Sequence, residues 1–418
     1  MTVNKTEKIK TINKKTLIAA LDIGKKVHYG YFRAPDGKDI KPFAFYNTGH
    51  SFKKFWEKLC SFKAEHMLDE VVIGFESTGP YAEPICHYLR NKSVKLVQVN
   101  PMHTKRVKEL TGNSPDKTDR KDPRVIADVI SLGHSLTVVI PEGAAAQLRR
   151  LAHARERAIE RRTAMNNQLQ HLVFLIFPEL AGIIRPSTKT GMYLIKNFCD
   201  PERMVCLGMQ RLYDIIKKIG RGRFGQDRVE KLYHAAEQSV GIAEGKESLL
   251  LEISHLVANI ENEHGHIEVL EKQMVMFLDR IPYSHMILSV KGIGPVTAAG
   301  LIGEVGDFRK FKTLSEVMKL AGLNLYEISS GKHQGSRHIS KRGRALLRKL
   351  LFFAAINTTR KNGVFYIPYQ RHLAKGMPKM KALVAIGRRL MRVIFALVRD
   401  HCEFDINYST QVELRKAA

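Results

Sequence analysis

The sequence lacks the cysteine patterns and the long apolar runs that define several classes of protein. Its five cysteines are scattered, odd in number and free of any Cys-x-x-Cys pair. This argues against a disulfide framework or a zinc ribbon and fits a reducing compartment. No apolar run follows the basic N-terminus as in a signal peptide, and no stretch approaches the length of a membrane span. We therefore expect a cytoplasmic protein without a membrane partner.

Acidic residues are scarce relative to basic ones, most strongly in the last third of the chain. Of 418 residues, 68 are Lys or Arg and 41 are Asp or Glu, which gives a formal net charge of +27. The surplus is +9 in residues 1–140, +2 in 141–280 and +16 in 281–418. Because 44% of the residues are hydrophobic, the chain is not a disordered basic tail. A surplus of this size favours binding to a polyanion, above all to nucleic acid.

The first 140 residues have the pattern of a mixed α/β sheet. Three segments separated by turns predict antiparallel strands, and helices then alternate with strands. The predicted strands are 17–24, 26–34, 40–47, 71–76 and 94–99, and the predicted helices are 51–62, 81–91 and 125–132. Asp22 and Glu76 come at or near the C-terminal ends of two apolar strands, where open α/β sheets place their ligands.

A third acidic segment, KTDRKD at 117–122, precedes a helix. Because Pro123 suits the first helical position, Asp122 is predicted to be the N-cap, with Asp119 on the same turn. Taken singly, an acid of this kind caps a strand or helix, accepts in a turn or is solvated. As a set, Asp22, Glu76, Asp119 and Asp122 repel one another unless a cation such as Mg²⁺ or Mn²⁺ lies among them. The set predicts a metal site for phosphodiester cleavage, as in RNase H-like nucleases.

The middle third is predicted to be helical. Residues 144–177 contain few helix breakers, and residues 248–278 carry an a/d seam of about four heptads, interrupted by His264 and Glu271. The seam fits a core helix within one domain, an antiparallel hairpin or an intermolecular coiled coil. Residues 179–247 form an insert to which we assign no function, with a loop predicted at 220–225.

The last third combines a glycine turn with a long basic segment. Gly292-Ile293-Gly294 enters a helix predicted at 296–302, and its backbone N–H groups suit a phosphate, although a tight inter-helix turn is the alternative. Residues 329–344 contain no acid and precede a helix predicted at 345–358. A basic run is ordinarily a solvated loop, but the glycines, serines and missing acids favour contact with nucleic acid. The candidate nucleic-acid ligands are Lys291, Gly292, Gly294, Lys332, Arg337, Lys341, Arg342, Arg344 and Arg348.

These motifs together resemble the IS110/IS1111 group of insertion-sequence transposases. The Leu-Asp-Ile-Gly strand, Glu-Ser-Thr-Gly-Pro-Tyr at 76–81 and Lys-Thr-Asp-x-x-Asp at 117–122 resemble the family's RuvC-like DEDD domain. The Gly-Ile-Gly turn, Ala-Gly-Leu at 321–323 and the Ser-Gly and Ile-Ser-Lys-Arg-Gly motifs within 330–348 resemble its C-terminal domain. Two positions depart from the family: Pro123 replaces an alanine, and Leu325 replaces the usual proline.

The resemblance implies a fold and a mechanism. It implies an α/β RNase H-like (RuvC-like) domain at 1–140, a long helical, coiled-coil region at 141–280 and a mainly α transposase domain at 281–418 with a helix-hairpin-helix-like turn. The acidic tetrad would bind the metal. Ser330 would attack DNA and leave a phosphoserine link, with Ser329 as the neighbouring alternative.

The resemblance also implies partners. These are DNA, a structured noncoding (bridge) RNA that guides the enzyme to its DNA, and further copies of the chain in a dimer or tetramer. Since two domains must converge, the acids of one subunit are expected to meet the serine of another. The location would be the bacterial or archaeal cytoplasm, at the nucleoid.

A second function uses the same acids. A RuvC-like, structure-specific endonuclease that resolves DNA junctions would employ water in place of Ser330. An actin-like ATPase or sugar kinase can also begin with Asp-Ile-Gly, but its second phosphate loop is not found in the sequence. A non-catalytic DNA-binding protein would need no buried acids. We therefore expect a DNA transposase or recombinase.

Overall fold

The computed structural model describes residues 12–76, 79–111, 122–186, 188–220, 225–327 and 337–406. The chain divides into two units, residues 1–139 and 140–418, and each unit is considered separately below. None of the helices in the described ranges is long and apolar enough to cross a membrane.

A six-stranded mixed sheet forms the centre of the N-terminal unit. Its strands are β1 (Thr16–Ile23), β2 (Val27–Arg33), β3 (Phe43–Tyr46), β4 (Glu70–Glu76), β5 (Lys95–Val99) and β6 (Ser135–Thr137). They lie in the order β3-β2-β1-β4-β5-β6. β1, β4 and β5 are parallel, whereas β2, β3 and β6 run antiparallel to their neighbours. This arrangement is compatible with an RNase H-like fold.

Helices cover both faces of the sheet. They are α1 (Gly49–Glu65), α2 (Glu83–Leu89), α3 (Pro101–Thr111) and α4 (Asp122–Ser131). Neighbouring residues of a strand point to opposite faces, and β2 shows the consequence. Phe32 packs against Phe55 and Phe62 of α1, while Tyr31 joins the cluster that contains Ile126 and Ile130 of α4. Because β1 is buried on both faces, its sequence is almost continuously apolar.

No helix was predicted between the strand at 94–99 and the acidic segment at 117–122, so α3 was missed. In the structure the side chain of Asn100 accepts a hydrogen bond from the backbone N–H of Met102 at 2.9 Å, as an N-cap does. Pro101 is the first helical residue, where its missing N–H costs nothing. Three smaller differences concern residues 40–42, which lie outside β3, Gly79–Ala82, which form a 3₁₀ turn before α2, and the edge strand β6, which was not predicted.

Two long antiparallel helices, α5 (Gly143–Ile176) and α11 (Lys246–Leu278), connect the parts of the C-terminal unit. Arg155 Nε lies 2.7 Å from Glu271 Oε1, and Arg161 Nε lies 2.7 Å from Glu263 Oε1, so one helix ascends as the other descends. Of the three arrangements considered for the heptad seam, the structure contains the antiparallel pair within one chain. Glu271 pairs at the edge of the seam rather than interrupting it.

Each end of this helix pair belongs to a different hydrophobic core. One core joins Leu169 and Ile176 of α5 and Val257 of α11 to the insert. The insert contains α6 (Leu180–Ile183), α7 (Lys189–Phe198), α8 (Pro201–Leu207), α9 (Met209–Gly220) and α10 (Gln226–Glu237). Most of the loop predicted at 220–225, residues 221–224, lies outside the described residues. The insert is thus a small helical bundle rather than an extended connection.

The other core joins Leu148 of α5 and Leu278 of α11 to the C-terminal elements. These elements are α12 (Ser284–Leu288), α13 (Pro295–Val305), α14 (Leu314–Ala321), β7 (Leu325–Tyr326), β8 (His338–Ile339), α15 (Ala345–Thr358), α16 (Tyr366–Ala374) and α17 (Lys379–Asp400). The helix predicted at 345–358 agrees with α15. One continuous core therefore includes residues from both sides of position 280, the expected boundary between the helical region and the C-terminal domain.

The crossing of α13 over α5 predicts a glycine requirement. A Cβ at Gly303 would lie 2.6 Å from the backbone nitrogen of Arg149, and backbone cannot move aside as a side chain can. We expect Gly303→Ala to lower the free energy of unfolding by about 1–3 kcal/mol. Gly265→Ala on α11 is the matched control, because a Cβ there meets nothing within 4 Å. It should raise stability by up to about 1 kcal/mol. Urea denaturation measures both, and equal effects would contradict the packing argument.

Candidate active site and nucleic-acid interface

Asp22 and Glu76 occupy adjacent positions on neighbouring parallel strands. β1 and β4 are paired with Leu21 opposite Phe75, so the residue that follows in each strand is an acid. By alternation, Asp22 shares a face with Ile18 and Ala20, and Glu76 shares it with Val72. That face is the one covered by α4. Strands lie about 4.8 Å apart, so the pairing brings two carboxylates from distant parts of the sequence together.

Asp122 begins α4, the helix on that same face. The helix approaches the sheet closely: a Cβ at Gly74 would lie 2.3 Å from Ile130 Cδ1. An ion pair between Arg33 of β2 and Asp128 also holds the helix in place. The helix therefore begins three residues before the predicted range of 125–132, and Asp122, predicted as the N-cap, is its first residue, with Pro123 in second position. Asp119, the remaining acid of the predicted tetrad, lies outside the described residues.

The missed helix α3 contacts two of the acids. The buried hydroxyl of Thr104 donates to Glu76 Oε2 at 2.9 Å, and the ammonium of Lys108 forms an ion pair with Asp122. Positions four apart lie on the same side of a helix, so one face of α3 reaches both carboxylates. The sequence signal that could have revealed these residues was Asn100-Pro101 as a helix start.

The donors suit a hard divalent cation, which prefers carboxylate oxygens. Asp122 Oδ1 is buried and forms an ion pair with the ammonium of Lys108. Among the described residues no group of three or more acidic, His or Cys side chains is arranged to hold a metal. Asp22, Glu76 and Asp122 remain candidate ligands, and Asp119 cannot be placed among them.

The predicted serine nucleophile and part of the basic segment lie outside the described residues. These are Ser330, the alternative Ser329, and Lys332. On either side of them the chain is paired: Leu325 is opposite Ile339 and Tyr326 opposite His338 in the two-stranded sheet β7-β8.

The described cations of the basic segment divide into two groups. Lys341 and Arg342 are exposed, and Arg337 is exposed but paired with Glu327, with Nε and Oε2 2.8 Å apart. In contrast, Arg348 donates to the carbonyl oxygens of Ala321 and Gly343, at 3.0 and 2.9 Å. Arg344 donates to the carbonyl oxygen of Glu304. The guanidinium groups of Arg344 and Arg348 therefore hold the chain around Gly322 and Gly343. The other three cations are exposed to solvent.

The Gly-Ile-Gly turn lies between α12 and α13. Gly292 has a φ of +104°, and a Cβ there would be 3.0 Å from the side chain of Thr358 on α15. Ile293 is buried, Gly294 is the N-cap of α13, and Lys291 is exposed. Packing against α15 therefore accounts for Gly292. Gly294 directly precedes the backbone N–H groups at the start of α13.

A buried acid that the sequence analysis missed lies beside the basic segment. Glu304 of α13 is 1% exposed, its Oε1 is 2.8 Å from His153 Nε2, and it is 3.7 Å from Arg149 Nη1. Burial raises the pKa of Glu304, but the hydrogen bond from His153 and the charges of Arg149 and Arg344 outweigh it, so the pKa lies below its ordinary value. Burial and Arg149 lower the pKa of Arg344 to about 10, which leaves it charged at neutral pH. An acid within the apolar run of α13 was the available signal.

Comparison with known proteins agrees with this architecture. A family described as the DEDD transposase of IS110 type matches residues 19–178, and the transposase IS116/IS110/IS902 family matches residues 284–370. A 43.6 kDa protein of insertion element IS110 from Streptomyces coelicolor is 24% identical over 398 residues, covering 94% of this chain and 96% of the relative. A 44.8 kDa protein of IS116 from Streptomyces clavuligerus is 25% identical over 289 residues, covering 68% and 71%. A 42 kDa protein of IS900 from Mycobacterium paratuberculosis is 22% identical over 294 residues, covering 69% and 73%.

A mixed sheet with acids at adjacent strand ends, together with the two matches, defines a DNA transposase, an enzyme that cuts and rejoins DNA. The two matches and the relatives together support an IS110-family transposase. The expected family resemblance is thereby confirmed. Membership of this DEDD group implies a requirement for a divalent metal.

The environment of Glu304 predicts a large stability effect. Replacing Glu304 by Gln leaves Arg149 and Arg344 without their buried counter-charge, so we expect a loss of about 3–5 kcal/mol in the free energy of unfolding at pH 7. Because the pKa of Glu304 is lowered by folding, its contribution is full above the unfolded-state pKa of about 4.3. It disappears as the pH falls through the lower folded-state value. Denaturation from pH 7 to pH 3 should therefore show the difference between wild type and variant shrinking. Glu160→Gln on the exposed side of α5 should change stability by less than about 0.5 kcal/mol.

The contact between Thr104 and Glu76 predicts an effect on catalysis. Thr104→Val removes the donor and leaves a similar shape, so Glu76 loses its orientation. A hydrogen bond to a charged group contributes about 1.5–3 kcal/mol, so we expect DNA cleavage in saturating Mg²⁺ to slow by at least about tenfold. Thr104→Ser retains the hydroxyl and should retain most of the rate. Equal rates for both variants would show that Thr104 does not position Glu76.

Proposed function

We propose that this transposase cuts and rejoins DNA with an acidic metal site formed by Asp22, Glu76, Asp119 and Asp122 and with Ser330 as nucleophile. The observation that carries the proposal is the parallel pairing of β1 and β4, which puts Asp22 and Glu76 at neighbouring positions on the sheet face covered by α4. Such a pair of acids costs stability unless a cation offsets it. We also propose the finer division of the fold: a RuvC-like domain to residue 140, a coiled-coil region to 280, and a transposase domain with a helix-hairpin-helix-like turn.

The four carboxylates are proposed to hold Mg²⁺ or Mn²⁺. When bound, such an ion neutralises charge that develops on the scissile phosphate. Thr104 keeps one carboxylate oxygen of Glu76 oriented, and Lys108 partly offsets the charge of Asp122. The buried Asp122 Oδ1 is contacted by the Lys108 ammonium, so an ion bound there would share this oxygen with Lys108.

Ser330 is proposed to act by transesterification. Its Oγ bonds to phosphorus as the bond from phosphorus to one sugar oxygen breaks, and the serine proton is transferred in the end to the leaving sugar hydroxyl. The number of phosphoester bonds is unchanged, so no outside energy source is needed for rejoining. Attack by a second sugar hydroxyl then releases the serine. A serine hydroxyl is weakly nucleophilic at neutral pH, which is why the chemistry requires an activating metal or base nearby.

We propose that the exposed cations Lys291, Arg337, Lys341 and Arg342 contact nucleic acid, including a structured noncoding RNA that selects the DNA by base pairing. The +16 surplus of residues 281–418 supports binding of more than one strand. Arg344 and Arg348 support this surface from within, because both are bonded to backbone carbonyls. The functional assembly is proposed to be a dimer or tetramer.

The nucleophile assignment predicts a specific loss of covalent chemistry. Purified protein with its co-purified RNA, Mg²⁺ and labelled element DNA should form a protein–DNA adduct that survives denaturing electrophoresis. Ser330→Ala should abolish both the adduct and the rejoined product, because no other group replaces the hydroxyl. Ser329→Ala should retain both.

Asp22→Asn is the companion variant, and it should abolish cleavage while leaving the fold intact by circular dichroism. Continued cutting by Ser330→Ala without an adduct would instead identify a junction-resolving endonuclease that uses water. Loss of the adduct only in Ser329→Ala would move the nucleophile by one residue.

A further inference from the structure

One long part of the chain contains no acid at all. From residue 328 to residue 399 there are 17 Lys or Arg residues and no Asp or Glu. Several of these cations belong to the basic segment already described, but the later ones fall on the C-terminal helices, above all on α17. Since a surface that only needs to be soluble mixes both signs of charge, this stretch has the composition of a surface for a polyanion.

Four of the six cations of α17 lie on one side of the helix. Lys381, Arg388, Arg392 and Arg399 are spaced by seven, four and seven residues, which returns to the same face each time. The opposite side is buried in the C-terminal core through Ile386, Leu390, Ile394 and Val398. At 1.5 Å per residue the row is about 27 Å long. We call this row the α17 stripe.

Arg388 and Arg392 in this stripe lack acidic partners. Arg388 is half-buried, and its Nε is buried without a hydrogen-bond partner among the described residues. Burial, and then the like charge of Arg392, lower the pKa of the Arg388 guanidinium. No carboxylate in the described residues pairs with either arginine. Arg399 differs, because both of its terminal contacts, at 2.7 and 2.8 Å, go to the carboxylate of Asp400.

This arrangement is unfavourable for the free protein. A desolvated, unpaired cation beside a second cation lowers the free energy of unfolding, because no counter-charge offsets its desolvation. Proteins tolerate such costs where an absent ligand supplies the missing partner. The matching partner is an anion that repeats along a line, since the stripe presents its cations at several steps along one straight helix.

We propose that the α17 stripe, at Lys381, Arg388 and Arg392, binds the sugar–phosphate backbone of nucleic acid without reading its bases, as a site additional to the basic segment. The inference rests on the proposed function for the nature of its ligand. Guanidinium groups bind phosphate oxygens in a paired geometry. The part-exposed Ala385 and Ala396 beside the arginines keep that face free of bulk. Lys381 and Arg392 are eleven residues apart, about 16.5 Å along the helix, so the three cations can contact successive phosphates of one backbone, and phosphate contacts carry no base information.

The test measures the salt dependence of binding by the full-length protein. Arg388→Gln/Arg392→Gln is titrated by fluorescence anisotropy against two probes: a duplex DNA lacking any element sequence and an RNA hairpin with the same number of phosphates. Each lost phosphate contact lowers the slope of log affinity against log salt by about 0.9 on duplex DNA. We expect a slope smaller by about two and an affinity lower by roughly tenfold at low salt. A loss confined to one probe identifies DNA or RNA as the backbone bound there.

Arg399→Gln is the matched control for the single variants Arg388→Gln and Arg392→Gln, because each removes one positive charge from the same face of the same helix. Because Asp400 already neutralises Arg399, this variant should bind both probes within about twofold of wild type. Unchanged slopes for Arg388→Gln/Arg392→Gln with both probes would overturn the proposal. The proposal would also be overturned if Arg388→Gln/Arg392→Gln lost binding to vesicles of anionic lipid but kept its binding to nucleic acid.

Stability separates a binding role from a structural one. Arg388→Gln alone should leave the melting temperature unchanged or raise it, because it removes an unpaired buried charge. A lowered melting temperature together with weaker binding would identify Arg388 as a structural residue and overturn the proposal. Arg392 is exposed, so Arg392→Gln should show about half of the slope change with an unchanged melting temperature. If the protein forms the Ser330 adduct but the double variant has an unaltered salt slope, the stripe is rejected and the proposed function is kept. If the slope falls but no Ser330 adduct forms, the stripe is kept and the proposed nucleophile is rejected.

Discussion

The parallel pairing of β1 with β4 is the constraint on which the catalytic half of this protein depends. Backbone hydrogen bonds fix the register, so Asp22 and Glu76 stay at neighbouring positions of the sheet. The remaining structure of the N-terminal unit accommodates that cost. α4 is packed tightly enough to require Gly74, and α3 supplies one hydroxyl and one ammonium to the acids. Carboxylates held together in this way form a site prepared for a cation.

The C-terminal unit carries a large surplus of positive charge in one folded chain. Some of its cations have partners inside the fold, and others are exposed. Glu304 neutralises Arg149 and Arg344 inside the fold, and Arg348 is bonded to backbone carbonyls. Lys341, Arg342 and the stripe on α17 remain available to solvent. The sequence of this region cannot distinguish the two groups, because the residue types are the same.

The long helices α5 and α11 give the unit its second feature. Their seam is apolar, but their flanking arginines and glutamates pair across the interface and select the antiparallel register. One end builds a core with the insert and the other builds a core with the C-terminal helices. The periodic pattern predicted both helices well. It could not show that the insert between them forms a helical core of its own, since its helices are short and its glycines and arginines favour a loop.

Local pattern was sufficient for five of the six strands of the N-terminal sheet, the long helices, α15 and the family, because each depends on residues close in sequence or on motifs in a recognisable order. The short strand β6 was not predicted. The positions of Asp22 and Glu76 at strand ends and of Asp122 at a helix start were predicted, and their role as metal ligands stays a prediction. Thr104, Lys108, Arg149 and Glu304 could not be predicted, because their roles arise from contacts between segments far apart in the chain. Burial and pairing of a charge are properties of packed neighbours, and a one-dimensional sequence does not contain those distances.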